Sequence, residues 1–206
     1  GSVFGIVGNI VITLMTMPVI LYYLLKDGNK VIPSITRVFP TRSRHKISVM
    51  LHEMNQQVSS YIRGQILVAI FVGITYTIGY SIIGLPYGVT IGMIAGVLTI
   101  IPYIGSIIGL SIALVIAFVT SPAIALQVLL VFVIEQLIES RLLQPLILGS
   151  SLKMHPVTIL VILLAAGKMF GLTGLLIAVP VYAVVKVFVT HFFAWYKDYS
   201  GLYYTP

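Results

Sequence analysis

The chain contains no cysteine and very little charge. Only 8% of its 206 residues are charged and only 5 are acidic, whereas 59% are hydrophobic. The lack of cysteine excludes disulfide bonds and thiolate metal sites. The scarcity of charge excludes an ordinary soluble domain, because too few polar side chains remain to cover its surface.

Long apolar runs are present instead. Residues 3–25, 64–83, 123–138 and 175–195 approach or exceed the roughly 20 residues that cross a hydrocarbon core about 30 Å thick. The predicted fold class is therefore an all-α polytopic membrane protein. The opening Gly-Ser leads directly into the first run, which suggests an expression scar or a longer upstream region.

Basic residues are concentrated between the first two runs, where only Asp27 and Glu53 oppose them. Short loops rich in Lys and Arg face the cytoplasm in membrane proteins, so we place residues 26–63 there. No recognition motif accompanies the charge, and a nucleic-acid partner is the weaker interpretation. The basic residues are Lys26, Lys30, Arg37, Arg42, Arg44, Lys46 and Arg63.

The sequence predicts three segments: a first transmembrane helix at 1–25, a cytoplasmic basic segment at 26–63, and a transmembrane core at 64–206. In the second segment, prolines indicate a loop. Apolar residues spaced by three and four over residues 41–64 then predict an amphipathic helix. This helix either lies on an anionic inner leaflet or packs against another domain.

An external turn is predicted at residues 84–88, followed by an apolar stretch at 89–120 that Pro102 and Gly105 interrupt. Each half is too short to span comfortably, and the whole is too long for one span. We therefore predict a re-entrant helical hairpin. Pro102 would free the carbonyl of Leu98 and leave nearby amides unpaired, so the tip would offer polar contacts to a substrate or ion.

Glycines at four-residue spacing support this hairpin, because small residues let helix backbones approach closely. General packing of membrane helices is the alternative. The glycines are Gly88, Gly92 and Gly96, followed by Gly105 and Gly109.

Residues 157–195 repeat the pattern. A short run ends at Gly167, Lys168 follows in a glycine-containing segment, and Pro180 breaks the next run. We predict a second broken hairpin that enters from the cytoplasm and leaves the C-terminus there. Two broken elements that enter from opposite faces are typical of secondary transporters.

Two acidic residues lie inside an apolar run. Glu135 and Glu139 are one helical turn apart and share a face. Two carboxylates in a low-dielectric setting disfavour double ionisation, and a bound proton or sodium ion would relieve the repulsion. We interpret them as coupling residues. Bonds to other helices or subunits are the structural alternative.

Further polar groups near the breaks are candidates for substrate binding or gating. Arg141 either binds an anionic solute or reaches the headgroups, and Lys168 either pairs with Glu139 or faces water. Pro145 would free the carbonyl of Arg141. The set selected in this way is Pro102, Tyr103, Gly105, Ser106, Arg141, Gln136 and Lys168.

No histidine spacing indicates a metal site, and no phosphate-binding loop for ATP is present. We therefore expect no cofactor beyond a bound sodium ion or proton, and no enzymatic activity.

Four ordered motifs cover much of the chain: YIRGQ (61–65), GLPYG (84–88), IPYIGSIIG (101–109) and IESRLLQPLILGSSLKMHP (138–156). They resemble the autoinducer-2 exporter family, with the chain as the C-terminal two thirds of a member. The resemblance implies a bacterial inner-membrane exporter, a sodium/proton antiporter as in some relatives, and a homo-oligomer such as a ring of five. It also indicates a site at Glu139, Pro102, Tyr103, Gly105 and Arg63.

The predicted function is a secondary transporter that exports a small polar solute or signalling molecule, coupled to protons or sodium. Two alternatives remain: a sodium/proton antiporter without an organic substrate, and a non-transporting oligomeric membrane scaffold. The expected partners are membrane lipids, the solute or ion, and further copies of the chain.

Overall fold

A computed structural model of the chain describes residues 32–148 and 155–200, and all regular structure in these ranges is helical. The predicted first span at 3–25 and most of the predicted loop at 149–156 lie outside the described residues. The chain divides into two compact units between Glu53 and Met54. The predicted boundary between residues 26–63 and 64–206 stays a prediction.

In the first unit, residues 32–37 are helical, although prolines predicted a loop there. Pro33 is tolerated because it lies in the first helical turn, where its missing N–H needs no helical partner. Arg44 closes the end of this short helix: its Nε donates to the Phe39 carbonyl at 2.9 Å and its Nη2 to the Arg37 carbonyl at 3.2 Å.

Helix α1 (Thr41–Ile82) has 42 residues. The helix predicted over residues 41–64 is present as its first part and is continuous with the predicted span at 64–83. Placement of that first part on a membrane surface stays a prediction. At the end of α1, Gly84 has φ +67° and the Leu85 amide donates to the Tyr80 carbonyl at 3.0 Å. This left-handed closure ends the helix where the turn was predicted.

Helices α2 (Gly88–Leu98) and α3 (Ile104–Thr120) form the first hairpin, whose tip comprises residues 99–105. For the Leu98 carbonyl and the Ile104 and Gly105 amides, the predicted free backbone groups are not found. The Leu98 carbonyl accepts from Ile101 at 3.0 Å, and the amides of Ile104 and Gly105 donate to Pro102 and Ile101 at 2.7 and 2.9 Å. The prediction was wrong because the turn is tight enough to satisfy these groups internally.

The glycine rows do permit close packing, but they serve two different contacts. Gly88, Gly92 and Gly96 face α1, and a Cβ on Gly92 would lie 2.5 Å from the Thr77 amide nitrogen. Gly109 instead faces Ala95 across the hairpin. The first row therefore holds α2 against α1, whereas the hairpin prediction assumed that it holds α2 against α3.

Helix α4 (Pro122–Ile138) begins as predicted: the Ser121 hydroxyl accepts from the Ala123 amide at 3.1 Å, and proline occupies the first turn. A π-helical segment (Glu139–Leu148) continues it. In π geometry each amide pairs with the carbonyl five residues earlier, so Pro145 removes the donor for Ser140 rather than for Arg141. The expected free carbonyl at Arg141 is therefore a wrong prediction.

Helix α5 (Pro156–Ser200) consists of two arms joined at Gly171, where φ is +61° and ψ is −141°. Gly174 lies directly against the Ala166 carbonyl, and Ile159 packs beside Ala183. In a straight helix Ile159 and Ala183 would be about 36 Å apart, so the chain reverses at Gly171 and forms a second hairpin. The helix continues through Pro180, where the sequence predicted a break.

Both hairpins pack against α1 in the second unit. The main apolar cluster joins α1 to α4 and includes Val72, Ala95, Ala113 and Val128. The second hairpin contacts α1 through Tyr61. Among the described residues, three helical segments meet the length and apolarity needed to cross a membrane, Thr41–Ile82, Pro122–Leu143 and Val157–Lys197, and the last of these is divided into two arms at Gly171. The predicted class of helical membrane protein is confirmed at this level.

Candidate functional site

Antiparallel packing of α1 and α4 brings the two predicted acidic residues into the protein interior. Gly79 of α1 lies against Val131, and one turn further along α4 the Glu135 side chain meets Tyr76. Glu135 is only 1% exposed and Glu139 only 9% exposed. Their burial in a helical membrane protein is costly and therefore indicates a specific role.

Gln136 lies between the two acidic side chains. Its Nε2 donates to Oε2 of Glu135 at 3.1 Å and to Oε2 of Glu139 at 3.4 Å. One amide group thus bridges both carboxylates, which brings the predicted coupling pair and one predicted binding residue together. Because the amide carries no charge, it does not neutralise either carboxylate, and a bound proton or cation would be needed for that.

Two tyrosines that the sequence analysis did not select face the same carboxylates. Tyr76 and Tyr80 are one turn apart on α1, their rings stack at 5.2 Å, and they are 1% and 0% exposed. Both lie within electrostatic reach of Glu135. We call Tyr76, Tyr80, Glu135, Gln136 and Glu139 the carboxylate cluster.

The first hairpin brings its tip beside this cluster. Tyr103 lies within electrostatic reach of Glu139 and has φ +61° and ψ −51°. A non-glycine residue in this region is strained, and such strain is concentrated at functional sites. Gly105 and Ser106 are buried behind it and Pro102 is half-buried. Of the tip residues predicted from sequence, Tyr103 is therefore within electrostatic range of one member of the acidic pair, Glu139.

A buried amide fixes the tip to α1. Nε2 of Gln65 donates to the Thr99 carbonyl at 2.7 Å, and the Thr99 hydroxyl donates to the Ala95 carbonyl at 2.8 Å. Gln65 is 6% exposed and Thr99 is 1% exposed. The tip therefore contacts α1 at Gln65, whereas Gly88 at the start of the hairpin contacts α1 at Tyr80. These two positions on α1 are about 15 residues, or about 22 Å, apart.

The predicted basic residues lie elsewhere. Arg63, Arg141 and Lys168 are all exposed, and Arg63 contacts only the Ser60 hydroxyl among the hydrogen bonds resolved for it, at 3.5 Å. Lys168 lies three residues before the reversal at Gly171. The acidic pair and the tip are thus brought together, whereas the three cations are placed on the outside of the second unit.

Four residues of the site were missed: Gln65, Tyr76, Tyr80 and Thr99. A usable signal existed for three of them, because Gln65, Tyr76 and Tyr80 are polar groups inside an apolar span. Thr99 carried no signal, since its contribution is a backbone carbonyl. Within the described residues, no group of three or more His, Asp or Glu side chains is arranged to hold a metal ion.

An apolar groove of ≈ 550 Å³ lies between α1 and α2 and is separate from the cluster. Its lining includes Ile70, Gly73, Met93 and Val97, with Thr77 as its polar member. It therefore offers none of the charged groups that the cluster holds.

Comparison with known proteins agrees with the motifs in the sequence. The family model described as "AI-2E family transporter" matches residues 1–194. The chain belongs to this family. It is 40% identical over 91% of its length to "Putative transport protein YueF" of Bacillus subtilis (strain 168). It is 38% identical over 86% to "Putative transport protein YrrI" of the same organism, and 31% identical over 86% to "Putative permease PerM" of Escherichia coli (strain K12).

The chain spans about half the length of the curated relatives it matches, with 51%, 50% and 51% of each covered. This is less than the two thirds expected from the motifs. No solved structure matches the chain. Membership of a transporter family thus agrees with the helical membrane fold. The cluster of acidic and phenolic side chains is observed in this chain and is not taken from its relatives.

Proposed function

We propose that the protein is a secondary transporter of a small polar solute, driven by a proton or sodium gradient and working in the bacterial inner membrane. The observation that carries the proposal is the burial of Glu135 and Glu139 beside the first hairpin. Two acidic groups that share one bridging amide gain stability when one proton or cation binds between them. Membership of a transporter family and relatives named as transport proteins support the same role.

The first hairpin is the proposed gate. It starts and ends near the turn at residues 84–88 and extends about 22 Å along α1, which is more than half of a hydrocarbon core about 30 Å thick. Non-helical backbone at such depth is tolerated where it is buried in protein or lines a watery cavity. We therefore propose that this hairpin is re-entrant, as the sequence analysis predicted.

Tyr103 would connect the gate to the carboxylates. Its side chain lies within electrostatic range of Glu139, so the charge on Glu139 would act on the tip. Neutralising Glu139 with a proton or cation would change the preferred position of Tyr103 and thereby favour one state of the hairpin. A ligand shifts such an equilibrium only through a difference in affinity for the two states, and this contact supplies one.

The second hairpin would support this movement rather than bind the solute. Its arms pack against the tip through Ile101 and Ile104 in an apolar cluster with Leu163 and Ala178. We propose that it enters the membrane from the cytoplasmic side, with residues 26–63 and the C-terminus in the cytoplasm. The homo-oligomer, including a ring of five, stays a prediction.

The proposal is tested with the full-length protein in sealed lipid vesicles that contain a pH-sensitive dye. A pH gradient or a sodium gradient is imposed, and dye fluorescence is followed with and without a panel of small polar solutes. We expect gradient-driven movement that vesicles without protein lack, and solute uptake that ends when the gradient is collapsed.

Two other outcomes decide between the alternatives. Sodium-dependent pH change without any solute, and no stimulation by any member of the panel, would identify a sodium/proton antiporter. Absence of any flux, together with a change of oligomer mass on native gels when Glu139 is replaced by Gln, would contradict transport and favour a scaffold.

A further inference from the structure

Three buried oxygen atoms of the carboxylate cluster have no hydrogen-bond partner of good geometry among the described residues. They are the hydroxyls of Tyr76 and Tyr80 and Oε1 of Glu135. The Tyr76 hydroxyl faces Glu135, and the stacked Tyr80 ring lies one turn away with Glu135 also within electrostatic reach. Because buried polar groups are nearly always paired, this grouping indicates a bound polar ligand.

Counting donors and acceptors limits what the ligand is. Each phenol has one O–H to donate, and the ionised carboxylate oxygen only accepts. A direct bond from Tyr76 to Glu135 would leave Tyr80 unpaired. A metal cation would be coordinated through the oxygen lone pairs and would leave both phenol protons without an acceptor. One water molecule accepts from both phenols and donates to Glu135, so it satisfies all three atoms.

We propose that a single water molecule binds between Tyr76, Tyr80 and Glu135 and relays the proton to and from Glu135. This inference rests on the proposed function, because it names the coupling ion of that site as a proton. The other groups that face Glu135 are Gln136 and Glu139 on its own segment, and Tyr103 faces Glu139 from the tip. Gln136 already occupies Oε2 of Glu135, which leaves Oε1 to exchange the proton.

The transfer is balanced in atoms. The water takes one proton from the hydroxyl of Tyr80 and gives one to Oε1 of Glu135, and a hydronium ion from the aqueous phase beside the turn at residues 84–88 then re-protonates Tyr80. Only O–H bonds break and form, and both the water and the phenol end the step unchanged. Tyr80 is the outer member of the proton relay because it lies one turn closer than Tyr76 to Gly84 along α1.

The experiment uses the full-length protein in vesicles with choline in place of sodium on both sides. Proton movement after a pH jump is compared for wild type, Tyr76→Phe, Tyr80→Phe and Tyr61→Phe. Tyr61 is the matched control because it is a buried tyrosine of the same helix that packs on Val179 and Ala183, away from the cluster. Thermal unfolding confirms that each variant is folded.

We expect each cluster variant to slow proton movement by about tenfold or more, since a positioned proton donor typically contributes about 10²–10⁴-fold to a rate. Tyr61→Phe should leave the rate unchanged. The wild-type rate should fall in D₂O, and a density map that resolves water should show one peak within about 3 Å of all three oxygens.

Wild-type rates in both cluster variants would overturn the relay while leaving transport intact, and so would a map without that peak. Proton movement that requires sodium would overturn the choice of a proton but not the transporter. Solute flux that no gradient drives would instead contradict the proposed coupling itself, whatever the tyrosine variants do.

Discussion

The two chain reversals in the second unit, at the tips of its two hairpins, are held in place by different interactions. The first hairpin turns at residues 99–105, where Gly105 lies directly against the Leu98 carbonyl and Gln65 binds the Thr99 carbonyl. The second turns at Gly171, where no atom lies within 4 Å of the position that a Cβ would take. Both reversals are closely packed, since Gly174 lies directly against the Ala166 carbonyl in the second, but only the first is also held to α1 by a buried hydrogen bond, and only the second turns at a glycine with positive φ.

This difference indicates which hairpin can respond to a change of charge in the carboxylate cluster. A tip held by α1 and facing Glu139 through Tyr103 responds to charge in the carboxylate cluster. An exposed glycine joint has no such contact among the described residues. The first hairpin is therefore the element whose position the buried carboxylates can control, and the second supplies an apolar surface against which it moves.

Replacing Gly105 should give the largest effect. In Gly105→Ala the new methyl group overlaps the Leu98 carbonyl and lies 2.7 Å from the Thr99 amide nitrogen, so the two arms must separate. We expect a loss of more than about 3 kcal/mol in the free energy of unfolding. The measurement is thermal unfolding in detergent together with the yield of monodisperse protein. A variant as stable as wild type would contradict the tight turn.

Removing the anchor of the tip should have a smaller effect. Gln65→Leu leaves the buried Thr99 carbonyl without its side-chain donor, which we expect to cost about 1–2 kcal/mol in a membrane protein. Transport should fall more than stability does, because the gate loses its attachment to α1. Gln127→Leu is the matched control, since Gln127 is an exposed amide on α4. Equal loss in both variants would argue against an anchor.

Gly171→Ala should test the second turn without any steric overlap. Its φ of +61° with ψ of −141° is disfavoured for any residue with a Cβ, and the strain is of order 1–2 kcal/mol. We expect a modest fall in unfolding temperature and coupling that stays intact. Loss of proton or sodium coupling in a folded Gly171→Ala protein would show that the two reversals are not as different as described.

Gly84→Ala should give the smallest effect of the series. Gly84 also has positive φ, at +67°, and open space around it, but this left-handed region is accessible to L residues at about 1 kcal/mol. Unfolding temperature is again the readout. A loss as large as that of Gly105→Ala would show that the backbone conformation of Gly84 costs a side chain as much as packing against Leu98 costs at Gly105.

Much of the fold was predictable from apolar run lengths and chain breaks. The start of α4 at Ser121 and Pro122, the interruption at Pro102 and the turn at residues 84–88 all follow from local chemistry. The partner of the Gly88, Gly92 and Gly96 row was not predictable, because spacing shows that a helix is packed closely but not against which neighbour. The reversal in the glycine-containing segment after Gly167 was predicted, whereas the continuation of the helix through Pro180 was not, because it depends on tertiary contacts in the same way.

The candidate site was predicted only in part, because the sequence does not show which neighbouring helix each side chain faces. Glu135 and Glu139 stood out because charges are rare in apolar runs. The two tyrosines carried a weaker signal as polar groups in an apolar span, because phenols are common in membrane helices, and only the register of α1 on α4 brings them to Glu135. Lys168 was selected by its charge and its place at the predicted second tip and Arg63 by the family resemblance, yet the structure places both side chains on the exterior.

The most direct test of the central claim is gradient-driven proton movement by the full-length protein in vesicles, measured for wild type, Glu135→Gln, Glu139→Gln and Glu53→Gln. Glu53 provides the same chemical change on α1 outside the cluster. The account predicts that both cluster variants lose coupled movement while remaining folded, and that Glu53→Gln keeps it. Full coupled movement in Glu135→Gln and Glu139→Gln would contradict the account.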